Sequence, residues 1–167
     1  MKYYLSQPAV ITAQACSCQA LADRLLHGNA LPLSTTTCGE KIAPTGLVTE
    51  PLPNIENPEF NTRINQLIKA AFPQLAENLA FIKSQFSSKR IGVVLGTSNT
   101  GVREIETQVK HKYENPNSTE TICLSQMALC HPTDFIKETL AIDGPAIAIS
   151  TACSSAGKAF ATAQELL

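Results

Sequence analysis

Asp143-Gly-Pro-Ala-Ile-Ala-Ile-Ser-Thr-Ala-Cys153-Ser-Ser-Ala-Gly157 is the stretch on which the reading of this chain turns. Ala146 to Ser150 is short and almost wholly apolar, and Gly144-Pro145 bounds it, the pattern of a buried strand. Ser154 to Leu167 follows as a helical run rich in small residues. Cys153 therefore falls on a sharp strand-to-helix turn, at or next to the first helical position. Free backbone N–H groups there, and the positive end of the helix dipole, favour a thiolate, the nucleophilic form of cysteine. The same N–H groups can hydrogen-bond the oxyanion formed when sulfur attacks a thioester or amide carbonyl. The competing reading of Cys153 is a small buried hydrophobe. Small residues on most faces of the final helix predict a helix sandwiched between layers, with Cys153 in a deep, preorganised place.

Upstream, Ile91-Gly-Val-Val-Leu-Gly96 reads as a second buried strand, ended by the polar turn Gly96-Thr-Ser-Asn-Thr-Gly101. That turn lacks the Gly-Lys-Ser/Thr ending of a P-loop and is not the G-x-G-x-x-G of a dinucleotide site. Val102 to Lys112 reads as a polar helix with Val102, Ile105 and Val109 inward, and Tyr113 to Glu120 as a solvated loop. Thr121 to Leu140 carries an apolar pattern in which Pro132 can open a helix and Asp134 suits its first turn. Phe60 to Phe86 is the longest helical segment, with Ile64, Leu67, Ile68, Ala71, Leu75, Leu79 and Ile82 on one stripe; Pro73 should kink or split it near Phe72. Leu31 to Asn57 is proline-rich and loop-like, with a short strand around Gly46 to Thr49. Ser17 to Leu26 is a helix with Ser17 as N-cap, stopped by His27-Gly28-Asn29. Tyr3 to Leu5 and Val10 to Thr12 suit a first strand. Strands alternating with helices indicate an α/β layered structure with a mostly parallel or mixed sheet.

A chain of 167 residues suffices for one domain with a real core. Its 44% hydrophobic and 16% charged residues suit a soluble globular chain, and its net charge of −1 gives no electrostatic case for nucleic acid or an anionic membrane. No apolar run approaches the roughly 20 residues that span a bilayer. The Met1-Lys-Tyr-Tyr4 start does not read as a signal peptide. Cysteines stand at 16, 18, 38, 123, 130 and 153. Their irregular spacing reads as free thiols in a reducing cytoplasm rather than a disulfide framework. Cys16-Ser-Cys18, with Cys38 and His27, does not have zinc-site spacing and reads as packing. His27 suits a helix C-terminus, and His111 lies in a charged, exposed setting. Cys130-His131 is not a catalytic pair, because adjacent residues point to different sides of an element.

The segment Gly-Pro-x-x-x-x-Ser-Thr-Ala-Cys-Ser-Ser around Cys153 resembles the nucleophile elbow of the β-ketoacyl-acyl-carrier-protein synthases, condensing enzymes of the thiolase fold. Gly96-Thr-Ser-x-x-Gly101 is a second, less specific match. The resemblance runs best from about Arg90 to Leu167, is weak before Phe60, and departs from the family's Gly-rich opening at Ala9 to Ser17. It implies the first half of a thiolase-like fold, with residues 1–167 an N-terminal half-domain of a longer condensing enzyme. It implies acyl transfer from an acyl-carrier-protein thioester to Cys153, then decarboxylative condensation with malonyl-acyl-carrier-protein, in fatty-acid or in polyene or polyketide synthesis. It implies that Met127 and Ala128 shape the acyl tunnel; ordinary core packing is the equal alternative. The implied partners are acyl carrier protein and a second subunit, in a homodimer or a synthase–partner heterodimer. No metal or other cofactor is called for. The family's catalytic histidines and lysine belong to the other half, and His27, His111 and His131 match none of them. This chain alone is therefore expected to be inactive in condensation, and to expose an apolar face that self-association could cover. Two alternatives stay open: a non-catalytic partner subunit resembling chain-length factors, which usually lack the cysteine, and a thiolase- or thioesterase-type enzyme. A Gly-x-Ser-x-Gly hydrolase is excluded because the motif is absent.

Overall fold

The computed structural model describes residues 3–38 and 40–167. The Met1-Lys2 start and the Cys38 side chain, both touched by the readings above, lie outside the described residues. Helix α1 (Cys18–His27) begins at the expected cap, with the Ser17 hydroxyl accepting from the Ala20 N–H at 3.2 Å. It ends at Gly28, whose φ of 68° is the left-handed conformation glycine takes without steric cost. His27 donates from Nδ1 to the Asp23 carbonyl at 2.8 Å, closing the last turn.

Strands β1 (Ser34–Cys38) and β2 (Lys41–Thr45) then form an antiparallel hairpin, with Ser34 opposite Thr45 and Cys38 opposite Lys41. This corrects the loop reading of the region and its strand at Gly46 to Thr49. Ser34-Thr-Thr-Thr-Cys38 has the β-branched residues of a strand but no apolar alternation. A cross-strand bond between the Thr36 and Thr45 hydroxyls, 2.6 Å long, ties the hairpin instead. The first strand expected from the pieces Tyr3 to Leu5 and Val10 to Thr12 does not form either. The Gln74 side-chain amide takes both backbone groups of Val10, accepting from its N–H and donating to its carbonyl at 3.1 Å each. A side chain thus satisfies the segment where a strand partner would.

Helices α2 (Arg63–Ala71) and α3 (Ala76–Gln85) are the two parts of the long apolar segment, split by a 3-10 turn at Phe72–Leu75 that contains Pro73. Strand β3 (Val93–Gly96) leads to α4 (Val102–Glu114), a 3-10 turn (Leu124–Met127) and α5 (His131–Leu140), which carries its proline in the first turn. Strand β4 (Ala146–Ile149), a 3-10 turn (Ala152–Ser154) and α6 (Ser155–Leu166) complete the chain. Strands β3 and β4 are parallel, Val93 opposite Ala146 and Gly96 opposite Ile149, so their C-terminal ends lie side by side. Helices α5 and α6 both pack on this pair.

The core centres on Phe135 of α5, which meets the Phe60 ring at 5.8 Å and stacks on Phe72 at 6.3 Å. Around it runs a buried polar clasp. His131 donates from Nε2 to the Glu59 carbonyl, Gln126 donates to the carbonyls of Pro58 and Glu59, and Asn65 donates to that of Phe60. These bonds hold the 58–60 loop against α5 and the 124–127 turn.

Burial falls short of the sequence reading. Strands β3 and β4, expected to be buried, are half-buried along their length. Of the inner stripe proposed for α4, Ile105 is buried, whereas Val102 and Val109 are exposed. The final helix is not sandwiched: Ser155 and Ala159 are buried and Phe160 is exposed. The accessible surface is 11567 Å² for a 17.9 kDa chain. A compact monomer of that mass exposes roughly 8,000 Å². Large apolar side chains exposed along the chain, from Tyr4 and Leu26 to Phe160, contribute to that excess.

Candidate active site

Parallel α/β sheets place functional groups where the chain leaves the carboxyl ends of the strands. Here two loops leave together: residues 97–101 after β3 and residues 150–154 after β4, joined by a bond from the Thr97 N–H to the Ile149 carbonyl at 3.0 Å. Cys153 sits in the second loop, in the middle of the 3-10 turn that opens α6. This is the strand-to-helix position read from the sequence. Its depth is different: Cys153 is exposed, because nothing in the described residues covers the turn.

The turn is strained. Ala152, directly before the cysteine, has φ 51°, in the left-handed region that costs a residue with a Cβ about 1–2 kcal/mol. Such strain persists only where surrounding contacts enforce it, and here the contacts are specific. The Ser155 hydroxyl accepts from the Thr151 N–H at 2.9 Å and donates to the Ala152 carbonyl at 2.8 Å. The Ser154 hydroxyl lies 2.9 Å from the Thr151 carbonyl and 3.0 Å from Thr151 Oγ1. Among the described residues the Cys153 backbone N–H has no hydrogen-bond partner. The result is an exposed sulfur whose own N–H is free, the two groups needed for attack on a carbonyl and for holding the resulting oxyanion.

Gly96 explains why the turn can lie so close to β3. A Cβ on Gly96 would stand 2.6 Å from the Ser155 backbone carbon and oxygen, so only glycine allows the start of α6 to rest on the end of the strand. The sequence marked Cys153 but gave no role to Ala152 or Ser155. The Ser-Thr-Ala-Cys-Ser-Ser run was the available signal, as small and hydroxyl-bearing residues are those that fit a crowded turn.

Met127 and Ala128 are exposed and do not line an enclosed tunnel within this chain. Met127 is tied to the first loop, its carbonyl accepting from the Thr100 hydroxyl at 3.2 Å. That places it beside the strand end adjoining the elbow. His131 belongs to the clasp, and its Nε2 bond to a carbonyl leaves Nδ1 facing the Asn65 amide at 3.5 Å. His111 is exposed and lies 3.0 Å from Glu120. At Cys130, the Asp134 carboxylate bonds the protonated thiol and, with burial and its own charge, holds the pKa above the usual thiol value. Cys18 donates to the Pro8 carbonyl at 3.0 Å. Among the described residues no group of three His, Cys, Asp or Glu side chains is placed to hold a metal ion. No helix among them is long and apolar enough to cross a membrane.

The fold matches a chain of the solved complex of a ketosynthase (ApeO) with its chain length factor (ApeC) from Xenorhabdus doucetiae. The TM-score is 0.87 at 29% sequence identity, over 98% of the present chain and 43% of that one. The protein thus spans less than half the length of that structural neighbour. No curated protein sequence gives a match. The family model of the β-ketoacyl synthase N-terminal domain matches residues 47–167, which include both strand-end loops, the strained turn and Cys153. With the fold and most of the sequence in agreement, the chain belongs to the β-ketoacyl synthase family.

Proposed function

We propose that this chain is the nucleophile-bearing N-terminal half of a condensing acyltransferase, with Cys153 as the acyl acceptor. The observation that carries the reading is the strained turn at the end of β4, which presents the Cys153 sulfur beside its own N–H, unpartnered among the described residues. In the proposed step the Cys153 thiolate attacks the carbonyl of an acyl thioester. The backbone N–H stabilises the tetrahedral oxyanion, and the carrier thiolate leaves and takes up a proton, giving an acyl-cysteine. In the complete enzyme, malonyl-acyl-carrier-protein then loses carbon dioxide, and its carbanion attacks the acyl-cysteine to form the new carbon–carbon bond and release Cys153. The acid–base groups for that second step are not supplied by His27, His111 or His131, which are engaged or placed elsewhere. They are assigned to a further part of the enzyme.

Exposed Met127 and Ala128, next to the 97–101 loop, are proposed to line the acyl tunnel once a second subunit or domain closes over them. A ketosynthase paired with a chain length factor is the arrangement of the structural neighbour, and it supports a synthase–partner heterodimer for this protein. Between the synthase and the partner of such a pair, the formed elbow with its cysteine favours the synthase. Carrier-protein substrates, a cytoplasmic setting, and fatty-acid or polyketide chemistry follow from the same reading.

The test is acylation. Incubation with an acyl thioester, followed by peptide mass spectrometry, is expected to place the acyl group on the Cys153 peptide and to give none with Cys153→Ala. Equal labelling of both proteins, or labelling spread over the other cysteines, would remove Cys153 from the role.

A further inference from the structure

Ser155 is the first residue of α6, yet its side chain does not act as a helix cap. A capping hydroxyl reaches forward to the N–H groups of the first turn. The Ser155 hydroxyl reaches backward, accepting from the Thr151 N–H at 2.9 Å and donating to the Ala152 carbonyl at 2.8 Å. Those two groups lie on either side of Ala152, the residue held at φ 51°. One buried hydroxyl thus spans Thr151 and the strained residue, fixing the peptide plane before Thr151 and the plane after Ala152, which carries the Cys153 N–H. Ser155 is itself fixed from behind, 4% exposed and with its backbone against Gly96, where no Cβ fits.

Ala141, the other alanine with positive φ, has an ordinary cause: it ends α5, and its N–H caps the Lys137 and Glu138 carbonyls. Ala152 ends no helix, so its conformation must be imposed by the contacts around it. Resting on the assignment of Cys153 as the nucleophile, we propose that Ser155 is a positioning residue that holds Ala152 in the left-handed conformation and thereby sets the reach of the Cys153 sulfur and N–H. Loss of the hydroxyl lets Ala152 relax toward negative φ, and the sulfur turns away from the open strand end.

The test uses the intact chain and reads the rate of alkylation of each cysteine by iodoacetamide across pH, by peptide mass spectrometry, with Cys18 and Cys130 as internal references. Ser155→Ala is expected to slow Cys153 by about tenfold, the size of a left-handed alanine no longer enforced, and to leave both references unchanged. Ser155→Thr, which keeps the hydroxyl, is expected to restore most of the rate. Glycine adopts the left-handed region at no steric cost, so in an Ala152→Gly background the same Ser155→Ala change should slow Cys153 far less. An unchanged Cys153 rate in Ser155→Ala would overturn the proposal. So would an equal loss in both backgrounds, or a change in Cys153 that comes with faster alkylation of Cys18 and the other sheltered cysteines, which marks general destabilisation. A wild-type Cys153 no faster than Cys18 would instead overturn the nucleophile assignment itself, and the positioning role with it.

Discussion

Two alanines with positive φ show how one backbone conformation can serve different ends. At Ala141, φ 49° closes α5 where glycine is the usual residue. Ala141→Gly is expected to raise stability by about 1 kcal/mol, seen as a higher unfolding midpoint, with Cys153 alkylation unaltered. A lower midpoint would mean that the alanine side chain does something the conformation does not require. A second local prediction concerns Cys130, whose titration Asp134 raises. The folded pKa lies above the unfolded one, so the pair's contribution to stability is whole below the unfolded thiol value. It is lost as pH rises through the folded value. Asp134→Asn removes the carboxylate, so Cys130 should alkylate faster than in wild type at pH values below its titration, measured against Cys18. No change in the Cys130 rate would show that the carboxylate does not govern it.

Among the elements, the contact between β3 and α6 sets the elbow, and Gly96 sets the contact. Gly96→Ala forces a Cβ within 2.6 Å of backbone atoms that cannot swing aside. It is expected to cost about 1–3 kcal/mol in denaturant unfolding and to slow Cys153 acylation. A fully stable and fully reactive variant would show that strand and helix can part without disturbing the turn. The split of α2 from α3 was legible in advance, because Pro73 removes a donor wherever the fold places it. The β1–β2 hairpin was not. Its threonines give no apolar alternation, and its pairing depends on a hydroxyl–hydroxyl bond that spacing does not reveal. The missing N-terminal strand is a similar case, since a glutamine 64 residues away takes the backbone bonds of Val10.

For the chain taken as one object, the excess of surface is the decisive quantity. An area of 11567 Å² stands well above the roughly 8,000 Å² of a compact monomer of this mass. Exposed Phe160, Leu124, Met127 and Leu129 are part of that excess. The 167-residue chain alone is therefore expected to bind an apolar fluorescent dye in its native state and to self-associate with rising concentration in sedimentation. A monomer that binds no dye would mean that the open faces are tolerated in water.

The amino-acid order determined the alternation of strands and helices from α2 onward, the break at Pro73, the Ser17 and Gly28 ends of α1, and the place of Cys153 between strand and helix. Each follows from local preferences carried by the residues themselves: periodicity, a fixed proline φ, a capping hydroxyl. Tertiary contacts decided the rest. The positive φ of Ala152 needs the buried Ser155 hydroxyl, and Ser155 needs the bare backbone of Gly96, 59 positions earlier in the chain. The exposure of Cys153 was hidden for a related reason. A run of small apolar residues specifies that a surface can be buried, whereas burial itself depends on what lies against it.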